Sequence, residues 1–224
     1  MLSFPRRRES RLKLHFINMK IKICTPVIGK TLKEFLNNLD QVQAVSDMVE
    51  LRVDEIKNLN DKDLQIIREK TLKESIFTSR KKENILEALG LGFDYVDVDI
   101  TLISHIEITK KRRAKVILSF HDFKKTPNMK NLTRIVDQMR EYSMDVIKIA
   151  TMVKNDEDLG NLFRLILNKK RNEKIIVVGI GEKGKITRIL GPMLGSFLTF
   201  ASTPYGETAE GQIDIKEMQN FYKL

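Results

Sequence analysis

Two side chains in this sequence could together carry out imine chemistry: Lys148 and His121. Lys148 lies between two isoleucines in the apolar run DVIKIAT, and His121 lies in VILSFHDF. A desolvated lysine close to arginine side chains is expected to have a lowered pKa, which supplies the neutral amine that attacks a ketone. The iminium that forms acidifies the neighbouring C–H bond, and a histidine of near-neutral pKa suits the base that removes the proton. The pair predicts an enzyme that forms a Schiff base and moves a proton.

Other polar residues recur with the two-residue period of a strand, on the face opposite its apolar residues. Glu50 and Arg52 alternate with aliphatic residues in VELRVD, Arg80 ends SIFTSR, and Asp97 and Asp99 alternate with valines in DYVDVD. One such residue alone is compatible with a structural role at a strand end. Five consecutive strands show the pattern, however, and buried charges are costly unless they are paired. The pattern therefore predicts a shared polar site.

Short apolar strands that alternate with amphipathic helices must position these residues. Strands are predicted at Lys20–Pro26, Asp47–Val53, Glu74–Ser79, Tyr95–Asp99, Lys115–Phe120, Val146–Thr151, Lys174–Ile180 and Phe197–Ala201. Helices are predicted at Thr31–Asp40, Asp61–Lys70, Glu83–Leu89, Ile103–Arg112, Asn131–Tyr142, Asp156–Asn168, Lys185–Leu190 and Ile213–Tyr222. Eight such units imply parallel strands that close into a single-domain α/β fold, the (β/α)8 TIM barrel, whose mouth collects the charged strand ends. An open doubly wound sheet is the alternative.

The string GIGEKG matches the glycine pattern of dinucleotide-binding loops at Gly179, Gly181 and Gly184. That fingerprint also requires an acidic residue about 20 positions later, at the end of the next strand. Here the next strand ends at Thr199–Ser202, so a nucleotide site is not predicted. In a barrel, a glycine-rich loop after the seventh strand favours an anion pocket, here beside Arg188.

Composition restricts the possible classes of protein. The chain is 42% hydrophobic and 31% charged, as in folded proteins, and no apolar run approaches the roughly 20 residues of a membrane span. Its single cysteine, Cys24, excludes an internal disulfide, and we expect a packed core residue in a reducing, cytoplasmic compartment.

The net charge of +10 raises the possibility of nucleic-acid binding, but half of this excess lies in the first 20 residues. Aromatic residues make up only 7% and tryptophan is absent, which disfavours a base-stacking surface. We therefore predict a mildly basic solvated surface and no nucleic-acid partner. Residues 1–18 are predicted to be a flexible tail, and residues 19–224 the barrel domain.

The strings VELRVD, FTSR, YVDVD, ILSFHDF, VIKIAT, GKITRILGPMLGS and GQI occur in this order. From about Lys20 to the C-terminus the chain resembles the type I 3-dehydroquinate dehydratase family. The resemblance implies a (β/α)8 fold, a homodimer, and no cofactor or metal. It also implies dehydration of 3-dehydroquinate to 3-dehydroshikimate through an imine, the third step of the shikimate pathway to chorismate and aromatic amino acids.

The resemblance also assigns roles to individual residues. It implies that Lys148 forms the imine with the C3 ketone, that His121 removes the C2 proton and protonates the departing C1 hydroxyl, and that Glu83 orients the histidine. The residues that it implies for substrate binding are Glu50, Arg52 and Arg80 for the ring hydroxyls, Arg188 for the carboxylate, and Thr208 and Gln212 in the last loop.

The sequence departs from the family pattern in three places. The segment that begins at Arg80 reads RKKEN and is one residue shorter than usual. Glu210 stands in TAEGQ where proline is common, and Asp99 stands where glutamate is usual.

Two other functions remain alternatives. A class I aldolase, or another imine-forming barrel enzyme, would use the same lysine with a different pocket. A basic nucleic-acid-binding module would bind RNA or DNA in a salt-dependent way without Lys148.

Overall fold

The computed structural model describes residues 21–106, 108 and 112–222. The strands are β1 (Ile23–Val27), β2 (Met48–Arg52), β3 (Glu74–Thr78), β4 (Tyr95–Asp99), β5 (Lys115–Asp122), β6 (Val146–Met152), β7 (Ile175–Ile180), β8 (Thr199–Ser202) and β9 (Ile213–Asp214). The helices are α1 (Leu32–Val45), α2 (Asp61–Lys70), α3 (Lys82–Leu91), α4 (Met129–Glu141), α5 (Asp156–Leu167), α6 (Lys185–Met193) and α7 (Ile215–Phe221). Short 3-10 helices cover Val53–Glu55, Ile103–His105 and Glu182–Gly184.

The strands form a curled parallel sheet in which β1 to β7 pair in chain order and β8 returns to pair with β1. Between β7 and β8, the Phe197 N–H donates to the Ile175 carbonyl at 2.7 Å. One apolar cluster contains residues from each of β1 to β7 and from the β8 segment, so these strands enclose a common interior. The TIM-barrel prediction is confirmed. The open doubly wound sheet is excluded because β8 pairs with β1 on one side while the segment that leads into β8 bonds to β7 on the other, which closes the sheet on itself.

The predicted alternation of faces is confirmed by the two main apolar clusters. Val49 and Leu51 of β2 belong to the cluster between strands and helices, whereas Met48 belongs to the interior cluster. In β6, Val146 and Ala150 are interior and flank Lys148 at a spacing of two residues. Because side chains alternate along a strand, Lys148 also faces the interior.

The predicted helix Ile103–Arg112 is wrong at its start, where the structure has only the 3-10 turn Ile103–His105. The Asp99 side chain accepts from the Thr101 N–H and hydroxyl at 2.9 and 2.7 Å, which closes a tight turn directly after β4. Ile106 is already extended.

Residues 107 and 109–111, and the predicted tail of residues 1–18, lie outside the described residues. Among the residues described, no helix is long and apolar enough to cross a membrane.

The glycines of GIGEKG serve close packing between β7 and α6. A Cβ on Gly179 would lie 2.7 Å from the Gly184 Cα, and a Cβ on Gly184 would lie 2.4 Å from the Gly179 carbonyl carbon. The Gly179 N–H also donates to Thr187 Oγ1 at 2.8 Å. This packing brings α6, and with it Arg188, against the end of β7. The glycines themselves are not among the residues that line the cavity described next.

Candidate active site

A cavity of about 390 Å³ opens at the carboxyl ends of the strands, a volume within the range of small-molecule sites. Eight of the nine predicted site residues line it: Glu50, Arg52, Arg80, His121, Lys148, Arg188, Thr208 and Gln212. They come from β2, the end of β3, β5, β6, α6 and the loop before β9. The barrel therefore brings together side chains that are far apart in the sequence.

Lys148 lies at the floor of the cavity and is 6% exposed. Its Nζ donates to Asp97 Oδ2 at 2.7 Å, lies 3.7 Å from Glu50 Oε1, and sits 4.9 Å from the centre of the Phe200 ring. Burial acts to lower the pKa of Lys148, but the charges of Asp97 and Glu50 and the Asp97 hydrogen bond raise it above its ordinary value. The prediction of a lowered pKa is therefore wrong: the resting side chain is an ammonium.

The two carboxylates beside Lys148 are themselves held by neighbouring hydroxyls. Ser119 Oγ donates to Asp97 Oδ1 at 2.5 Å, and Thr78 Oγ1 donates to Glu50 Oε1 at 3.1 Å. A carboxylate that accepts such a hydrogen bond is held in a fixed orientation. The lysine, the two carboxylates and the two hydroxyls form one polar network on the barrel interior.

His121 stands above Lys148 on the neighbouring strand. Ser119 pairs with Lys148 across β5 and β6, and His121 pairs with Ala150, so the imidazole is one same-face step, roughly 7 Å, farther along the strands. Its Nδ1 lies 3.1 Å from Asp99 Oδ2, and its ring stacks on Phe123 at 5.9 Å between centroids and 7° between planes.

Asp99 determines the tautomer of the neutral His121 imidazole. Burial acts to raise the pKa of Asp99, but hydrogen bonds from His121 and Thr101 outweigh it and lower the pKa to about 2. An ionised carboxylate is only an acceptor, so Nδ1 of His121 carries the proton that it donates. In the neutral imidazole the lone pair is then on Nε2.

Glu83, predicted to orient the histidine, is not brought to the site. It is exposed in the first turn of α3 and does not line the cavity, and Asp99 makes the contact with His121 instead. The reason is the phase of α3: the next residue, Asn84, turns inward and donates to Ser79 Oγ at 3.3 Å. The assignment of Glu83 as the orienting residue is corrected to Asp99.

Arg188 is a buried guanidinium that lines the cavity. Its side chain is 2% exposed, and within the described part of the chain its Nε and Nη2 have no hydrogen-bond partner. Burial lowers the pKa of this guanidinium to about 10, although the charges of Glu50 and Glu207 oppose the shift. An unpaired buried charge is costly, and a carboxylate ligand would satisfy both nitrogens at once.

Arg52 and Arg80 reach the opposite side of the cavity, where both contact Asp54. No role was predicted for Asp54 from the sequence. The alternation in VELRVD does predict that Asp54 shares the polar face of Glu50 and Arg52, but it assigns Asp54 no function.

The loop that carries Thr208 and Gln212 closes one side of the cavity. The Thr208 N–H donates to Gln212 Oε1 at 2.8 Å, and the Gly181 N–H donates to the Glu210 carbonyl at 3.1 Å. Gly211 has φ +83°, and a Cβ there would lie 2.5 Å from the Gly181 carbonyl oxygen. The glycine-rich segment after β7 therefore supports this loop.

Within residues 21–106, 108 and 112–222, no group of three His, Cys, Asp or Glu side chains is arranged to hold a metal ion.

The fold and the cavity together define an enzyme of the (β/α)8-barrel class. The family model described as Type I 3-dehydroquinase matches residues 23–224. The chain therefore belongs to the type I 3-dehydroquinase family.

Relatives of known name agree with this assignment. The chain is 43% identical over 216 residues to the 3-dehydroquinate dehydratase of Coxiella burnetii strain CbuK_Q154, covering 90% of this chain and 92% of the relative. It is 33% identical over 218 residues to the enzyme of that name from Methanocaldococcus jannaschii, covering 90% and 98%. Among solved structures, the type I 3-dehydroquinate dehydratase of Clostridium difficile superimposes with a TM-score of 0.77 at 26% identity, over 90% of each chain. The Geobacillus kaustophilus enzyme shares the fold with a TM-score of 0.84 at 24% identity, over 91% of this chain and 90% of the other.

Proposed function

We propose that this protein dehydrates 3-dehydroquinate to 3-dehydroshikimate through a Schiff base on Lys148, with His121 as general acid and base. This is the third step of the shikimate pathway. Family membership supports the reaction. The observation that carries the mechanism is that the Lys148 amine and the unpaired Arg188 guanidinium open into one cavity of about 390 Å³. A small molecule with a ketone and a carboxylate matches these two groups.

The first step is proton transfer from Lys148, because its ammonium cannot attack a carbonyl. Asp97 is the nearest acceptor at 2.7 Å. The neutral amine then adds to the C3 carbonyl. The carbinolamine hydroxyl takes the proton back from Asp97 and leaves as water, which forms the iminium and restores the Asp97 carboxylate. The Asp97 and Glu50 carboxylates stabilise the positive charge that returns to the nitrogen.

His121 carries the proton in the second half of the reaction. Its Nε2 removes the C2 proton, and the electron pair enters the iminium to form an enamine. The pair then returns to expel the C1 hydroxyl, which leaves as water with the proton from His121, and a second water hydrolyses the conjugated iminium. Asp99 stabilises the transient imidazolium through Nδ1.

The remaining lining residues orient the ring. Arg188 binds the carboxylate in a two-bond fork, and Glu50, Arg52 and Arg80 bind ring hydroxyls. Thr208 and Gln212 contact the substrate from the last loop. Each of these roles is part of the proposal and is supported by the presence of the side chain in the cavity lining.

The decisive test is to add 3-dehydroquinate to the purified protein and follow the ultraviolet absorbance of the conjugated enone. The assay is run after dialysis against EDTA, because we propose that no metal or cofactor takes part. We expect enone formation at a rate proportional to enzyme. Borohydride trapping on Lys148 without any enone would favour a class I aldolase, and salt-dependent RNA binding without turnover would favour a nucleic-acid-binding module.

Asp97→Asn tests whether the charge of Asp97 raises the pKa of Lys148. The charge of Asp97 is the largest cause that raises the pKa of Lys148, while burial acts to lower it. Removing the charge is therefore expected to lower the pKa, so that the neutral amine exists at lower pH. We expect the midpoint of the pH profile of borohydride trapping to move to lower pH in the variant. A midpoint that is unchanged or moves upward would contradict the assignment of Asp97.

We also propose a cytoplasmic homodimer. Ile186 and Leu190 of α6 and Leu194, the residue that follows the helix, repeat every four residues, and each is at least 36% exposed. An aliphatic row of this kind supports a contact between copies. Sedimentation equilibrium of the wild type and of Leu190→Glu would test it: a dimer that the charge dissociates is expected, and a monomeric wild type would contradict it.

A further inference from the structure

Asp54 is a nearly buried carboxylate that contacts two arginines of the cavity. It lies in the 3-10 turn Val53–Glu55, directly after β2, and its side chain is 5% exposed. Arg52 Nε donates to Oδ1 at 2.9 Å, and Arg52 Nη2 donates to Oδ2 at 2.8 Å. Arg80 Nε lies 3.6 Å from the same Oδ2. One carboxylate therefore contacts both guanidiniums.

The bidentate contact leaves part of the Arg52 guanidinium free for a ligand. A guanidinium has five N–H donors, and Asp54 takes one on Nε and one on Nη2. The Nη1 edge remains available, and Arg52 lines the cavity. Burial acts to lower the pKa of Arg52, but the hydrogen bonds that Arg52 donates to Asp54 and the charges of Glu50, Asp54 and Glu55 raise it above its ordinary value.

Arg80 depends on Asp54 in a different way. Its side chain is 80% exposed, so little packing restrains it, and the contact to Asp54 Oδ2 anchors its Nε. A long exposed side chain loses conformational entropy when it binds a ligand, and an anchor reduces that loss. Asp54 thus restrains one arginine that is nearly buried and one that is not.

We propose that Asp54 is the positioning residue for substrate recognition in this site: it holds the guanidiniums of Arg52 and Arg80 in place for the ring hydroxyls. It touches neither Lys148 nor His121 in the contacts described above. Its effect is therefore on binding and not on the imine or proton-transfer steps. The role of the two arginines as hydroxyl ligands rests on the proposed function. The contact of the Asp54 carboxylate with both guanidiniums, which we call the clamp, does not.

Asp54→Asn keeps the shape of the side chain and removes its charge. We expect KM for 3-dehydroquinate to rise about ten- to hundredfold, the range for loss of a charge-assisted hydrogen bond, while kcat changes by less than about threefold. Borohydride trapping at saturating substrate should be unchanged. In a cycle with Arg52→Lys, which loses the planar fork, the double variant should raise KM by less than the product of the two single effects, because only the part of the Asp54→Asn effect that acts through Arg80 remains. A KM within about twofold of wild type, or fully multiplicative effects in the cycle, would overturn the proposal.

Glu173→Gln is the matched control. Glu173 holds Arg140 with the same two-bond geometry, at 2.7 and 2.8 Å, and does not line the cavity. The control is expected to lower the thermal unfolding midpoint and leave KM unchanged. If it raised KM as much as Asp54→Asn does, general destabilisation would explain both and the proposal would fail.

Should Asp54→Asn not fold, Asp54→Glu is the second variant. It moves the charge by one methylene and is expected to raise KM by a smaller factor than Asp54→Asn. An unchanged KM in Asp54→Glu would also overturn the positioning role of Asp54.

Hydrogen exchange of the Arg52 Nε–H, followed by NMR, tests the clamp without any substrate. We expect slow exchange in the wild type and fast exchange in Asp54→Asn. Equal exchange would overturn the clamp even if the enzyme turns over 3-dehydroquinate. Slow exchange together with a wild type that does not turn it over would retain the clamp and reject the proposed function.

Discussion

Lys148→Ala is expected to abolish turnover of 3-dehydroquinate and to abolish the adduct trapped by borohydride. The variant removes the nitrogen that forms the covalent bond, and no other lysine lines the described cavity to replace it. A loss on the order of 10⁵-fold or more is expected for a group that takes part in every chemical step. Activity is followed by enone absorbance and the adduct by mass spectrometry.

The substitution also removes the cation between Asp97 and Glu50, which leaves two buried carboxylates without their partner. Loss of one partner of a buried ion pair is destabilising, so the thermal unfolding midpoint must be measured alongside activity. Lys174→Ala is the matched control, because Lys174 is exposed at the opposite end of the barrel, over the ring of Phe197. It should retain turnover. Undiminished turnover by folded Lys148→Ala would refute the Schiff-base mechanism.

His121→Ala is expected to slow turnover by about 10²- to 10⁴-fold, the usual contribution of a positioned acid and base. Borohydride should still trap an adduct, because the Lys148 amine and its carboxylate partners remain. The expected result is therefore a large fall in kcat with a covalent intermediate that accumulates. Rapid-quench mass spectrometry with and without borohydride would distinguish this from a loss of binding.

His105→Ala serves as the control for His121→Ala. His105 is exposed in the 3-10 turn Ile103–His105 and does not line the cavity, so its loss should leave kcat unchanged. If His121→Ala turned over at the rate of His105→Ala, the assignment of His121 would be wrong. If it lost both turnover and trapping, His121 would instead be required for formation of the imine.

The sequence by itself determined which residues face the barrel interior. Alternation along β2 and β6 placed Glu50, Arg52 and Lys148 on the inner face, and the structure confirms that face. The physical reason is local: successive side chains of a strand point to opposite sides, so parity can be read without knowledge of the partners. Eight repeats of strand and helix then predicted the barrel, because parallel strands need crossover helices and closure removes the sheet edges.

Only the tertiary structure decided the protonation of Lys148 and the partner of His121. Asp97 is 51 residues from Lys148 in the chain, yet its carboxylate lies 2.7 Å from the amine and outweighs the effect of burial. Glu83 lies outside the cavity because of the phase of α3. Asp99, at the end of β4, makes the contact with His121 that was predicted for Glu83. A pKa and a hydrogen-bond partner depend on distances through space between residues that are far apart in the sequence, and alternation along one strand carries no information about those distances.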